Sequence, residues 1–463
     1  MTSPAPAHPL RWRILGLLGV AQLMLILDVT VVAIALPHIE TDLGLSRQAV
    51  TWTVSAYTLA FGGLMLLGGR TADLIGAKRV VLAGLLIFTA ASLVTGLAGS
   101  AGMLLGGRVA QGVGAAMLSP AALSLVVSLF DGDERNRALG VWSALGGGGA
   151  ALGVLLGGAL TAGPGWPWVF YVNVPIGLVI ILALARMLPR QQAAKPRPRL
   201  DVLGALLVTA SSGALIYALI RAGDDGWLTA ATGWLVLLAA TGYLAFTVRQ
   251  KTAVSPMMDV SLLVRRPVAT GTFLILMATA LMIAVFFLGT FYFQHGKDYG
   301  ALRTGLLFLP VAVATMFGAN LTGRMIARSG PRPPAVAGLL AAAAGMALPA
   351  LSLHPLNVVI GTAVAGAGTG AMFVVASATA LGQVAPHESG IASGIVSTFH
   401  EFGASLGAAV ISSVAAASLT GDTFDGFTDG FVLAAVAAAV GALAAAALTP
   451  PRDRPARAAS PGT

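Results

Sequence analysis

Apolar residues run in long blocks along the chain, divided by short polar, charged or Pro/Gly-rich stretches. A helix needs about 20 such residues to cross ~30 Å of hydrocarbon, and fourteen blocks approach or exceed that length. They lie at 14–36, 50–69, 79–98, 103–128, 137–160, 169–188, 201–221, 228–248, 268–293, 304–327, 333–352, 356–383, 389–416 and 430–448. The pattern predicts an all-α polytopic membrane protein.

Composition removes the soluble alternatives. Of 463 residues 57% are hydrophobic and 10% charged, whereas a soluble domain carries about 25% charged residues to cover itself in water. Gly (58) and Pro (24) are abundant, as in transmembrane helices. Cysteine is absent, which excludes disulfides and thiolate metal sites. The net charge of +9 reads as basic loops held on one membrane side, not as a nucleic-acid surface. With the N-terminus inside, only Arg47, Arg221, Lys297 and Arg303 of the 27 Lys and Arg fall outside, and Arg108 lies within a span. The acids divide evenly between the sides, with Asp28 and Glu401 in spans. A one-sided basic bias with indifferent acids is the positive-inside pattern. It favours an even number of crossings with both termini cytoplasmic in the plasma (inner) membrane. Arg11 and Arg13 before an apolar run could suggest a signal peptide, but the run is too long and contains Asp28, so a retained first span is expected.

Two basic, Pro-containing stretches, 189–200 and 249–267, bracket two spans and leave six on each side. The expected organisation is an N-terminal tail (1–13), a six-helix bundle (14–188), a central region with two extra helices (189–267), a second six-helix bundle (268–448) and a C-terminal tail (449–463). Gly69-Arg70 with Gly76 and Lys78 recurs as Gly323-Arg324 with Gly330 and Arg332. Glycines bounding a basic loop suit a tight reversal, and matched copies point to duplication. Repeated halves around a midplane site are the architecture of many secondary transporters.

Ordered motifs in the first half resemble the major facilitator superfamily, in its fourteen-span drug:proton antiporter branch. Leu27-Asp28-Val29-Thr30-Val31-Val32-Ala33-Ile34-Ala35-Leu36-Pro37 is similar to the branch's first-span signature, with Ala33 in place of Asn. Gly69-Arg70-Thr71-Ala72-Asp73-Leu74-Ile75-Gly76-Ala77-Lys78-Arg79 resembles the loop after span two. Arg108-Val109-Ala110-Gln111-Gly112-Val113-Gly114-Ala115-Ala116 resembles the span-four motif. Gly153-Val154-Leu155-Leu156-Gly157-Gly158 is similar to the antiporter motif, with Val154 where the family has Pro. Trp166-Pro167-Trp168-Val169-Phe170 with Asn173 and Pro175 resembles the motif before span six. The resemblance implies a major facilitator fold and proton-coupled export of toxic compounds or antibiotics. The departure at Val154 leaves open an exporter of a self-made metabolite or an importer of a small solute. The expected partners are a small-molecule substrate, protons and the lipid bilayer. A monomer is expected, with no nucleic acid, cofactor or metal.

An ionisable residue at membrane depth is expensive and therefore a functional candidate. Asp28 lies ~13 Å from the outer end of its span and is the expected proton carrier, with an interhelical hydrogen bond as the competing role. Arg108 shares the outer half, and the resemblance gives it a part in proton transfer. A snorkelling arginine is the alternative. Glu401 lies near the midplane of span thirteen as a candidate second protonation or cation site. His400 is adjacent, and ~100° of rotation separates them, so a packed histidine is expected. Gln22, Thr30, Gln111 and His400 are candidate cavity residues. Asp73, placed at the start of span three, is the expected latch with Arg70, Lys78, Arg135 and Arg137. Gly69, Gly76 and Arg79 complete that loop. Gly153, Gly157 and Gly158 suit a close, pliable helix contact, as does the cluster from Gly146 to Gly149. Gly366–Ala371 mimics a dinucleotide fingerprint but sits in an apolar span, and no ATP-binding loop is visible. A membrane enzyme would need a dense acidic or His cluster. Asp224-Asp225 and Asp422, Asp425 and Asp429 stand in short loops without histidine.

Overall fold

The computed structural model describes residues 9–188, 200–382, 389–419 and 424–449, and every regular element among them is helical. The first five crossings are α1 (Arg11–Leu43), α2 (Arg47–Ile75), α3 (Ala77–Gly96), α4 (Ala101–Leu129) and α5 (Gly132–Ala162). The sixth combines α6 (Trp168–Tyr171) with α7 (Asn173–Met187). A hairpin of α8 (Val202–Asp225) and α9 (Ala230–Thr252) follows, then a 3-10 turn at Val260–Val264. The second set comprises α10 (Arg266–Phe291), ending in a π turn at Tyr292–Gly296, then α11 (Ala301–Leu307) with α12 (Leu309–Ser329). It continues with α13 (Arg332–Leu351), α14 (Pro355–Gly382), α15 (Ser389–Val414), the short α16 (Ala416–Leu419) and α17 (Asp425–Leu448). Thirteen crossings are long and apolar enough to span a membrane among the described residues. The continuous 31-residue α5 makes the fourteenth.

The crossings begin and end where local chemistry allows. Ser46, Ser100, Asp201 and Thr229 each accept a hydrogen bond from the backbone N–H three residues on, satisfying a donor that has no partner within the helix. α1 continues past Pro37 to Gly44, whose φ of +57° breaks it. At 33 residues it is ~50 Å long, well beyond one hydrocarbon thickness. The expected glycine-bounded reversal is half right. Gly76 (φ +94°) and Gly330 (φ +77°) make the turns, whereas Gly69 and Gly323 lie within α2 and α12. The polar stretch after Gly69 simply extends the helix, and only the second glycine of each pair needs backbone freedom. Of the expected linkers, 189–199 lies outside the described residues, and α9 runs four residues into 249–267.

The two sets pack alike. α4 is the partner of α2 and α3, and α14 is the partner of α12 and α13. Small residues make both seams. A Cβ on Gly114 would stand 2.6 Å from the Phe88 nitrogen, and one on Gly345 2.5 Å from the Ala365 nitrogen. Such close backbone approach is how helices associate where lipid offers no hydrophobic drive. The bundles meet along α2–α15, α5–α11 and α1–α10, and α8 lies against both α2 and α15.

Ties between helix ends fix a common side. Arg11 pairs with Glu134 at 2.9 Å, joining the starts of α1 and α5. Lys78 donates to the carbonyls of Ala185 (3.0 Å) and Leu188, joining α3 to the end of α7. Arg249 meets Asp201 at 2.9 Å, and Thr270 donates to the Leu448 carbonyl at 3.1 Å. α1 therefore starts, and α17 ends, at the same side, called here the basic end.

Candidate functional site

α1, α2, α3 and α4 converge on Asp28. Its side chain and that of Arg108 are fully buried, and Arg108 Nη1 donates to Asp28 Oδ2. Gln111, one turn along α4, donates through Nε2 to Asp28 Oδ1 and to Ser92 Oγ, both at 2.9 Å. Its Oε1 accepts from Arg108 Nη1 at 3.1 Å. Arg108 Nε donates to the Thr53 carbonyl at 2.8 Å, and its guanidinium stacks 4.4 Å from the Tyr57 ring centre. Two buried ions cost several kcal/mol each in desolvation, recovered only with good geometry and further hydrogen bonds. Those conditions are met here. Arg108 Nη2 alone has no hydrogen-bond partner among the described residues.

The sequence placed Asp28, Arg108 and Gln111 together, and the structure joins them directly. Arg108 is not a snorkelling residue, since it has no accessible surface. Gln111, expected to line a cavity, instead serves the Asp28 network. Thr30 is also buried, donates to the Leu27 carbonyl at 3.2 Å and packs against Gly153, so it belongs to the α1–α5 contact. Gln22 is half-buried, its Oε1 without a partner among the described residues.

The second acidic residue lies on the α2–α15 seam. Glu401 is 8% exposed, and a Cβ on Gly62 of α2 would approach its Cβ to 2.7 Å. His400 is not the packed histidine that one of its two readings expected. Its side chain is 42% exposed against 10% for Glu401, with Nε2 3.9 Å from the Glu401 carboxylate. The ring bonds to Thr279 Oγ1 at 3.2 Å and lies 5.6 Å from Phe373. Rotation along α15 thus turns the imidazole toward open space and the carboxyl toward α2.

A polar ladder missed by sequence reasoning climbs this seam away from Glu401. Thr58 and Ser405 share a hydroxyl bond of 2.6 Å, and Thr51 and Ser412 one of 2.5 Å. At its top Arg47 donates to Asp224 (2.9 Å), to the Ser412 hydroxyl (2.9 Å) and to the Ile220 carbonyl (2.8 Å). The signal was present: Arg47, Thr51, Ser55, Thr58 and Gly62 recur at helical spacing on one face of α2. Arg47 had been counted as an ordinary outer loop charge, yet it is 8% exposed.

Opposite the basic end, the bundles are sealed to each other. One buried apolar cluster takes in Ile34, Leu36 and Ile39 of α1 with Phe287, Phe291 and Phe308 beyond. Gln294 donates to the Ile34 carbonyl at 3.0 Å, and Glu40 faces His295 at 3.8 Å. Of the predicted glycines only Gly158 takes part in this closure, while Gly153 and Gly157 pack on α1 within their own bundle. Gly157 abuts Val31, and a Cβ on Gly158 would stand 2.8 Å from the Ala301 carbonyl oxygen. Gly305 in turn lies on the backbone of Val154. Gly149 packs on Ile26, while Gly146–Gly148 are described only as part of helix α5.

Asp73 differs from expectation. It is exposed in the last turn of α2, not at the start of α3, because α2 extends six residues past the apolar block. A carboxylate there faces the negative helix end. Among the described residues no hydrogen bond or ion pair links it to Arg70, Arg135 or Arg137, and Arg135 pairs with Asp131 at 2.7 Å. Arg70 is half-buried and Arg79 exposed. Of the acids considered for an enzyme, Asp224 is engaged by Arg47, Asp225 pairs with Arg221, and Asp422 lies outside the described residues.

Paired bundles, a buried ionic centre and a closed end define a membrane transporter fold. The Major Facilitator Superfamily profile matches residues 18–347 and 311–463, and the chain belongs to that family. It is 38% identical over 424 residues to the puromycin resistance protein pur8 of Streptomyces alboniger, covering 89% of this chain and 83% of that one. It is 35% identical over 452 residues to the cephamycin export protein CmcT of Amycolatopsis lactamdurans, covering 96% and 92%. Two solved structures at 17% identity share the fold. A bacterial homologue of the lysosomal transporter Spinster, inward-facing and occupied, aligns with a TM-score of 0.66 over 95% of this chain and 96% of that one. The peptide transporter POT in complex with alafosfalin aligns with a TM-score of 0.68, over 94% and 93%.

Proposed function

We propose that the protein exports lipophilic or amphipathic compounds, antibiotics among them, across the plasma membrane in exchange for protons. The observation that carries this reading is the Asp28–Arg108 pair, buried within the N-terminal bundle next to the closed end. The names of the cephamycin relative and of a tetracenomycin C resistance and export protein of Streptomyces glaucescens support export as the direction. In the proposed orientation the basic end, with both termini, is cytoplasmic, in keeping with the one-sided basic residues. The unit is a monomer within lipid, and the proton gradient replaces any cofactor.

In this conformation the Asp28 carboxylate is balanced by Arg108. A proton reaching it from outside neutralises the carboxylate and frees Arg108, which keeps the Thr53 carbonyl and the Tyr57 ring as partners. The free guanidinium changes the balance between the two access states, and the α5–α11 contacts at Gly158 and Gly305 part as the bundles rock. Release of the proton inward restores the pair. Glu401, beside the open face of His400, serves cationic compounds as a second acidic site. Asp73 is the proposed latch of the alternate state.

Everted vesicles test the reading. Puromycin and a panel of lipophilic compounds should accumulate uphill only while a proton gradient stands, and an uncoupler should abolish accumulation. Undiminished accumulation with the gradient collapsed would refute it.

A further inference from the structure

The α8–α9 hairpin encloses space that the transport scheme does not use. A slot of about 640 Å³ lies between it and the α2–α15 seam. Val208, Phe246, Leu66 and Phe399 represent its largely apolar walls. The Ser212 and Tyr243 hydroxyls within it satisfy each other at 2.8 Å, so they offer a guest little hydrogen bonding. Along α15 the lining runs from Ile395 to Leu406, ~16 Å at 1.5 Å per residue. One leaflet of a ~30 Å hydrocarbon core is about as deep.

The mouth at the basic end carries two opposite charges, Lys251 and Asp259. Both are exposed, and no ion pair joins them among the described residues. Asp259 accepts from the Ser261 hydroxyl (2.7 Å) and N–H (2.9 Å). The Ser261 bonds, with a smaller contribution from the nearby Arg265 cation, hold its carboxyl below the usual range, so it is charged near neutral pH. An ionised carboxylate offers about four acceptor positions, which leaves room for a further donor. Arg47 on Asp224 ties the hairpin to α2 at one end, and Arg249 with Gln250 on Asp201 ties α9 to α8 at the other.

We propose that this slot holds one acyl chain of a zwitterionic phospholipid, its phosphate on Lys251 and its primary ammonium on Asp259. Phosphatidylethanolamine has that chemistry. A purely anionic headgroup brings no donor to the acceptor positions of Asp259 left open by Ser261, and the quaternary ammonium of phosphatidylcholine has no N–H for them. The site's place in the cytoplasmic leaflet rests on the proposed orientation, but lipid retention does not depend on sidedness or on transport.

Full-length protein in nanodiscs of equal phosphatidylethanolamine, phosphatidylglycerol and phosphatidylcholine, all with the same chains, is released and analysed by native mass spectrometry. Phosphatidylethanolamine should be retained preferentially. Lys251→Gln should lower retention about fivefold, the effect of one basic residue near a lipid headgroup. Asp259→Asn should abolish the preference over phosphatidylglycerol while total retention persists. Val208→Trp should exclude every lipid by filling the slot, and should it fail to fold, the two surface variants decide the matter. Equal retention of the three lipids by wild type, or undiminished retention by Lys251→Gln, overturns the proposal. So does a slot that takes ethidium but no phospholipid, which would make it a substrate compartment.

Discussion

Replacing Arg108 by Lys keeps the charge that balances Asp28 but loses the planar fork, and with it the simultaneous Nε bond to Thr53 and stacking on Tyr57. Removing one partner of a buried pair outright costs about 3–5 kcal/mol, so Lys is the gentler probe. Arg108→Lys should reach the membrane yet transport at least tenfold more slowly in everted vesicles, and wild-type rates would show that a plain positive charge suffices. Glu401→Gln should lower resistance conferred against cationic compounds while sparing neutral ones, read from growth inhibition across both classes. The ionisable members of this site were legible because charges in apolar spans stand out. Ser92 and Tyr57 were not. A hydroxyl inside a helix commonly bonds its own preceding turn, as Ser92 does with the Phe88 carbonyl at 2.8 Å, and the sequence cannot show that Gln111 also reaches it.

Helix contacts set how far the bundles can move. Gly158→Val would force a branched side chain into the space 2.8 Å from the Ala301 carbonyl oxygen, and overpacking of this kind typically costs 1–3 kcal/mol. Because the contact joins α5 to α11, the strain bears on the closed state. A cysteine pair across α5 and α11 should then cross-link less than in the parent, with equal cross-linking as the contrary result. The hairpin has a pH signature of its own. Burial raises the Asp201 pKa, but hydrogen bonds from Arg249, the Gly204 N–H and Gln250 outweigh this and lower it below 3.8. A lowered folded value means a stabilising contribution complete above 3.8 and lost as pH falls through the folded value. Thermal midpoints of wild type and Asp201→Asn should therefore differ at neutral pH and converge in strong acid, and a constant gap would contradict the assignment. The element positions were readable from apolar runs, but their ends were not. α1 passes Pro37 and α2 passes Gly69, because polar residues prolong a helix beyond the hydrocarbon without any hydropathy signal.

At the scale of the whole molecule, fourteen crossings and a basic end follow from hydropathy and charge alone, and the matched pairing of α4 and α14 supports the duplication read from the glycine loops. The contact between bundles was less legible. The Thr51–Ser412 and Thr58–Ser405 bonds join residues more than 340 positions apart, and no local pattern reports such a pairing. The glycines of α5 could be read as close packing, but not as facing Val31 and Ala301. What unites these parts is the claim that Asp28 exchanges a proton as the bundles change access. The most direct test is proton release by purified protein in weakly buffered detergent with a pH indicator, on addition of a compound that passes the vesicle screen. Wild type should release protons on binding and Asp28→Asn should release far fewer. Equal release by the two, with equal binding, would contradict the account.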